Sequence, residues 1–152
     1  MGVMFAAIRP GAWDFPLFLH VAGAMLLVGA MVVVVAAMAV ALRNGEGAEV
    51  LTRLAFRTLL VGVIPAYILM RAGAEWILSK EGVPDDLAWI GIGYGVADGG
   101  FLLTIIATVL AWRVKKRGEA APGGAGRAVF VLAALLILAY AVAIWAMATK
   151  PT

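Results

Sequence analysis

Residues 15–42 form a run of 28 positions without a single charge, and its only imidazole, His20, is also the only histidine of the chain. A helix that crosses a bilayer needs about 20 predominantly apolar residues. Three further runs, about 54–78, 87–112 and 128–148, are long enough as well. In hydrocarbon a backbone must satisfy its own hydrogen bonds, so segments of this kind become helices. The pattern predicts an all-α membrane protein, a four-transmembrane-helix bundle occupying 1–152 as one domain. Its connections are short, so neighbouring helices run antiparallel.

Composition agrees. The chain is 64% hydrophobic and 14% charged, where soluble domains carry about 25% charge. It has no cysteine, which excludes disulfides, Cys-ligated zinc, iron–sulfur clusters and thiol catalysis. The first 14 residues lack the basic start and short apolar core of a cleavable signal, so the first run reads as a retained span.

Positive charge sets the expected orientation. Arg43, Arg53 and Arg57 flank the first connection, and Arg113, Lys115, Lys116, Arg117 and Arg127 the third; these are eight of the twelve Lys and Arg residues. Arg9, Lys80 and Lys150 fall on the other side, with Asp85 and Asp86. The expectation is a multi-pass protein of the cell (inner) membrane with both termini extracytoplasmic. The net charge of +3 then meets anionic headgroups of the lipid bilayer; no nucleic-acid partner is expected.

Local signals add detail. At 1.5 Å per residue the first run is about 42 Å long, more than the hydrocarbon core of about 30 Å. Pro65 in the second run predicts a kink and a freed carbonyl near Val61. The sequence from Val83 to Asp86 reads as a turn and helix cap, and residues 118–126 (GEAAPGGAG) as a flexible loop. Gly91, Gly95 and Gly99 share one face of the third span. That small-residue pattern permits close approach of another helix, within the chain or in a second copy, or of a flat ligand. A homodimer or a larger membrane complex is therefore an open expectation.

Ionisable side chains inside a span cost about 2.5–3.5 kcal/mol at the bilayer centre and demand a reason. Four stand out: His20, Arg71, Glu75 and Asp98. Counted from the helix ends at 1.5 Å per residue, they lie about 9 to 18 Å or less from one surface, although they come from three helices. Arg71 and Glu75 are an i, i+4 pair, and Arg71 is the one cation near the level of Asp98. Two readings stay open, an ion-pair network that fixes packing and a ligand or proton pathway. His20 is a potential metal or haem ligand. Met147, at the same expected level, is a candidate second ligand, and Met31 and Met38 form a stripe whose simplest role is packing. One histidine with scattered carboxylates cannot supply a zinc site.

Residues 18–29 (FLHVAGAMLLVG) resemble the first-helix signature of small bacterial four-helix membrane families, among them CopD-like copper-resistance domains and HemJ-type protoporphyrinogen oxidases. The ending Met147-Ala148-Thr149-Lys150-Pro151 resembles the close of an uncharacterised group of integral membrane proteins. The HemJ-like resemblance implies haem binding at His20. The lysine important to those oxidases has no counterpart in spans three and four, and one histidine is few for CopD-like copper handling. Three functions follow as expectations: a haem-binding redox or haem-handling protein with His20 as axial ligand, Met147 as second ligand and Arg71 beside a propionate; a structural or accessory membrane subunit without a reaction; and a small transporter or channel lined by Arg71, Glu75 and Asp98.

Overall fold

The apolar runs do become helices, and they extend further than hydropathy alone predicts. The computed structural model describes residues 14–43, 45, 47–81, 87–118 and 122–149; the expected cap at Val83–Asp86 and the terminal Lys150-Pro151 lie outside these. Helix α1 is Asp14–Arg43. Span two comprises α2 (Ala48–Arg57), a π-helical turn (Thr58–Val63) and α3 (Ile64–Glu81). Spans three and four are α4 (Ala88–Arg117) and α5 (Gly123–Thr149). Four helices are thus long and apolar enough to cross a membrane, and no strand occurs among the described residues. This is an all-α, multi-pass membrane architecture.

The extensions have physical causes. Span two starts at Ala48 rather than at 54 because its first turns bury Ala48, Thr52 and Ala55, while Glu49 and Arg53 pair at 2.6 Å on the exposed side. Span three continues through the basic run to Arg117. There Lys115 lies over the Phe56 ring at 4.8 Å and Lys116 over Trp112 at 5.2 Å, their stems covering apolar surface while the charged heads stay at the rim. Gly118 ends this helix in the left-handed region at φ 60°, a conformation glycine adopts without steric cost. The expected flexible loop of 118–126 is correspondingly short, because Gly123–Gly126 already belongs to α5. Gly126 is packed so closely on Pro122 that a Cβ there would overlap the proline ring.

Pro65 is accommodated by a register shift rather than a simple broken bond. Proline has no N–H, and its ring crowds the carbonyl four residues back. The preceding turn widens into the π form, with the Ile64 amide donating to the Leu59 carbonyl. That insertion divides span two into two halves with different neighbours. The α2 half packs on α1 and α4, whereas the α3 half packs on α1 and scarcely touches α4. α1, in turn, contacts α5, which packs along α4. The helices therefore form a closed ring at the basic end and one that gapes between α3 and α4 at the other.

The core at the basic end is fully closed. Leu27, Met31, Val34 and Met38 of α1 meet Leu59 and Val63 of the π turn, with Ala107 and Ala111 of α4 and Val129, Ala133 and Leu136 of α5. Met31 and Met38 have no exposed surface, and Met38 Cε lies 3.3 Å from where a Cβ on Gly126 would stand. The methionine stripe is packing.

Candidate functional site

The gaping end of the bundle holds a half-open chamber of about 760 Å³. Its walls are largely apolar, with Leu27, Val28, Met70, Ile77, Ala97 and Ile144 among them. His20, Arg71 and Met147 all line it, as do Trp89, Tyr94 and Tyr140. Three candidate residues from three helices thus border one space.

His20 is held where α1 and α3 approach most closely. A Cβ added to Gly73 would stand 2.5 Å from the His20 amide nitrogen and 2.7 Å from the Pro16 carbonyl. Reciprocally, a Cβ on Gly23 of α1 would overlap the Met70 amide nitrogen and stand 2.8 Å from the Met70 Cα. Two glycines, one from each helix, therefore let the backbones touch. In that contact His20 Nδ1 is 3.0 Å from the Met70 carbonyl oxygen. A carbonyl can only accept, so Nδ1 carries the proton and donates. In the neutral ring the lone pair is then left on Nε2. Residues that ligate metals commonly show this arrangement, with the second ring nitrogen bonded to a backbone carbonyl.

The α3–α4 gap is bridged by side chains rather than by backbone contact. Tyr67, Arg71 and Glu75 stand at i, i+4 and i+8 on α3 and meet Phe101, Asp98 and Tyr94 on antiparallel α4. Tyr67 and Phe101 stack with centroids 4.4 Å apart. Arg71 reaches Glu75 at 3.0 Å and Asp98 at 3.5 Å, and its guanidinium lies 4.1 Å from the Tyr94 ring centroid. The Tyr94 hydroxyl donates to Glu75 at 2.8 Å. The polar cluster read from the sequence is assembled as a ladder, and long side chains hold the two helices apart. Its exposure is notable: the side chains of Asp98 and Glu75 are 61% and 53% exposed, against 26% for Arg71.

This geometry bears on the expected role of Arg71. Its one positive charge already faces two carboxylates and an aromatic ring, and the cluster sums to −1. An anionic propionate at this point would be a third carboxylate around a single cation. Arg71 lines the chamber, but its partners belong to the protein.

Gly91, Gly95 and Gly99 do not wall the chamber. A Cβ on any of them would meet nothing within 4 Å among the described residues, so they form no helix contact with these and present no flat surface to a ligand inside. The small residues of α4 that face inward are Gly93 and Ala97, with Gly100 behind. Met147 Cε lies 2.7 Å from a Cβ position on Gly93, and the Tyr140 hydroxyl 2.9 Å from that on Gly100. Tyr140 Oη is buried beside the Thr104 hydroxyl, with no hydrogen bond of good geometry among the described residues. Sequence reasoning passed over Gly23, Gly73 and Tyr140; the glycines carry no signal beyond their size, and the tyrosine reads as ordinary apolar filling.

No three His, Cys, Asp or Glu side chains among the described residues gather closely enough to hold a metal ion. A haem iron asks only for one or two axial ligands. Compared with known proteins, the chain matches no family model, no curated protein and no solved structure.

Proposed function

We propose that this membrane protein holds a haem in the chamber, with His20 as axial ligand. The observation that carries the reading is the His20–Met70 bond of 3.0 Å, which leaves Nε2 as the ligating nitrogen of a ring lining an apolar space. The volume of about 760 Å³ lies within the range of about 300–1,000 Å³ usual for cofactor and ligand pockets. Ala97 and Ala143 are small residues on the chamber wall, and Met147, packed over Gly93, lines the same space as a candidate second ligand. Bound haem would supply one-electron chemistry. The chain's own residues would orient the imidazole, exclude water and fix the depth of the site.

The orientation proposed with it places the basic loops in the cytoplasm and the chamber in the outer half of the cell membrane. The bias of eight basic residues flanking the first and third connections supports it. Single cysteines at Gly45 and Gly124, both exposed, should react from the cytoplasmic side only; labelling from outside would reverse the assignment.

Optical spectroscopy tests the cofactor. Purified protein, or apoprotein supplied with haem, should show a Soret band that His20→Ala removes, while Met147→Leu alters the reduced spectrum and leaves the band. Protein that takes up no haem would refute the reading. A second reading, an accessory subunit without a reaction, rests on the same contact: the Nδ1 bond sits where two backbones touch and would serve as a staple between α1 and α3.

A further inference from the structure

We infer that the ligand of the chamber arrives sideways out of the bilayer, through an opening between α1 and α5. The identity of that ligand rests on the haem reading; the route rests on how the helices pair. At the gaping end each helix has one close neighbour. α1 and α3 touch through Gly23 and Gly73, while α4 receives Met147 of α5 at Gly93 and the Tyr140 hydroxyl at Gly100. Two helix pairs therefore face each other across the chamber, with a seam on either side.

The seams differ in what stands in them. Between α3 and α4 stands the ladder, with the Tyr67–Phe101 stack at 4.4 Å and Arg71 held by Glu75 at 3.0 Å and Asp98 at 3.5 Å. An apolar solute would have to pass a guanidinium and two carboxylates there. Between α1 and α5 the contact is firm at the basic end, where Met31, Val34 and Met38 share one core with Val129, Ala133 and Leu136. Towards the other end the chamber comes between them. Val21 and Met25 of α1 and Ile144 and Ala148 of α5 line it. These side chains also reach the outside: Val21 is 46%, Met25 72% and Ile144 52% exposed. Leu17, Leu78 and Trp89, which line the chamber nearer the helix ends, are half-buried.

Depth decides which medium the opening meets. At 1.5 Å per residue Val21 and Met25 lie about 10 and 16 Å along α1 from Asp14, and Ile144 about 8 Å along α5 from Thr149. Exposed Trp145, beside Ile144, marks the level of the interface. The opening runs from that level into the hydrocarbon. Its rim carries no charge, and Met25 is unbranched and able to swing. Such a rim admits molecules dissolved among acyl chains and turns away those soluble only in water. His20 follows directly on the rim, next to Val21, so a flat amphiphile such as free haem in the outer leaflet meets the imidazole on entry.

Tryptophans on the rim test the route. With apoprotein in liposomes and haem dissolved in their bilayer, Val21→Trp combined with Ile144→Trp should slow growth of the Soret band by about tenfold or more and leave its final height unchanged, since access is lost and the site is kept. Gly91→Trp, at the cleft between α3 and α4, and Leu138→Trp, on the exposed side of α5, should leave the rate as it was. A second arm needs no haem. The chain has no cysteine, so Ala97→Cys places a single thiol on the buried chamber wall. Bilayer-soluble N-phenylmaleimide should label it, and the rim tryptophans should slow that labelling by about tenfold as well. A Soret band that grows at full rate past the rim tryptophans, labelling that they do not slow, or labelling that Gly91→Trp slows as much would each overturn the route. No Soret band in any variant, with labelling slowed by the rim tryptophans alone, would end the haem reading and uphold the opening.

Discussion

Replacing Gly73 by alanine is the sharpest test of how His20 is positioned. The added Cβ would stand 2.5 Å from the His20 nitrogen, 2.7 Å from the Pro16 carbonyl and 2.9 Å from the His20 Cα. All three atoms belong to backbone, which cannot swing aside as a side chain can. Carbon contacts settle at about 3.5–4.0 Å, so α1 and α3 must part by about 1 Å. The His20–Met70 distance would then grow from 3.0 Å to about 4 Å, outside hydrogen-bond range. Overpacking costs about 1–3 kcal/mol and the lost bond about 1 kcal/mol. Alanine's better helix propensity returns about 1 kcal/mol. The net loss is about 1–3 kcal/mol. Gly29→Ala, on the same α1 but with nothing within 4 Å among the described residues, should instead be neutral or gain up to about 1 kcal/mol. Helicity followed by circular dichroism during titration from mild detergent into dodecyl sulfate measures both. If Gly73→Ala unfolds together with Gly29→Ala, the backbone contact is not what holds the two helices. The argument about the imidazole then fails with it.

Two more outcomes follow from the ladder and the buried hydroxyl. In monomeric detergent solution Asp98→Asn should cost about 1 kcal/mol or less, since the pair is exposed and Arg71 keeps Glu75. Arg71→Met should cost more, because it strands two carboxylates, and adding Asp98→Leu to it should restore part of the loss; equal effects of all three in the same titration would show that the ladder does not couple α3 to α4. Tyr140→Phe removes a buried Oη whose polar neighbour among the described residues, the Thr104 hydroxyl, makes no hydrogen bond of good geometry with it. It should leave stability unchanged or raise it by up to about 1 kcal/mol, and a loss greater than that would reveal a bond the hydroxyl makes.

How far the sequence reaches is shown best by two sets of glycines. The four spans were legible because uninterrupted apolar runs have only one stable backbone solution in hydrocarbon. The ladder was legible in part: Arg71, Glu75 and Asp98 stand out by charge, and their counted depths brought them together before any coordinates did. Gly91, Gly95 and Gly99 were equally conspicuous, yet the contacts inside the chain are made by Gly23 and Gly73. In a soluble helix the polar side marks the outside, so a small residue on the apolar side can be assigned to the core. In a span the outer surface is as apolar as the interior, and spacing shows that a close approach is possible without showing to what. Leu102 at 62% and Met25 at 72% exposure are no more polar than the buried Leu27 and Met31.

Phase therefore has to come from the polar residues, and here it does. Once Arg71 is paired with Asp98, the rotation of α3 and α4 about their axes follows. Tyr67 and Phe101 must then stack one turn towards the basic end, and Glu75 must meet Tyr94 one turn away from it. Gly93, Ala97 and Gly100 turn inward, and Gly91 and Gly95 turn out. The same rotation opens the chamber, because a guanidinium and two tyrosines span a wider gap than the glycines of α1 and α3 do. The π-helical turn before Pro65 supplies the change of course that lets α2 pack on α4 while α3 stands off. Charge, proline and ring size thus set the width of the space that His20 faces.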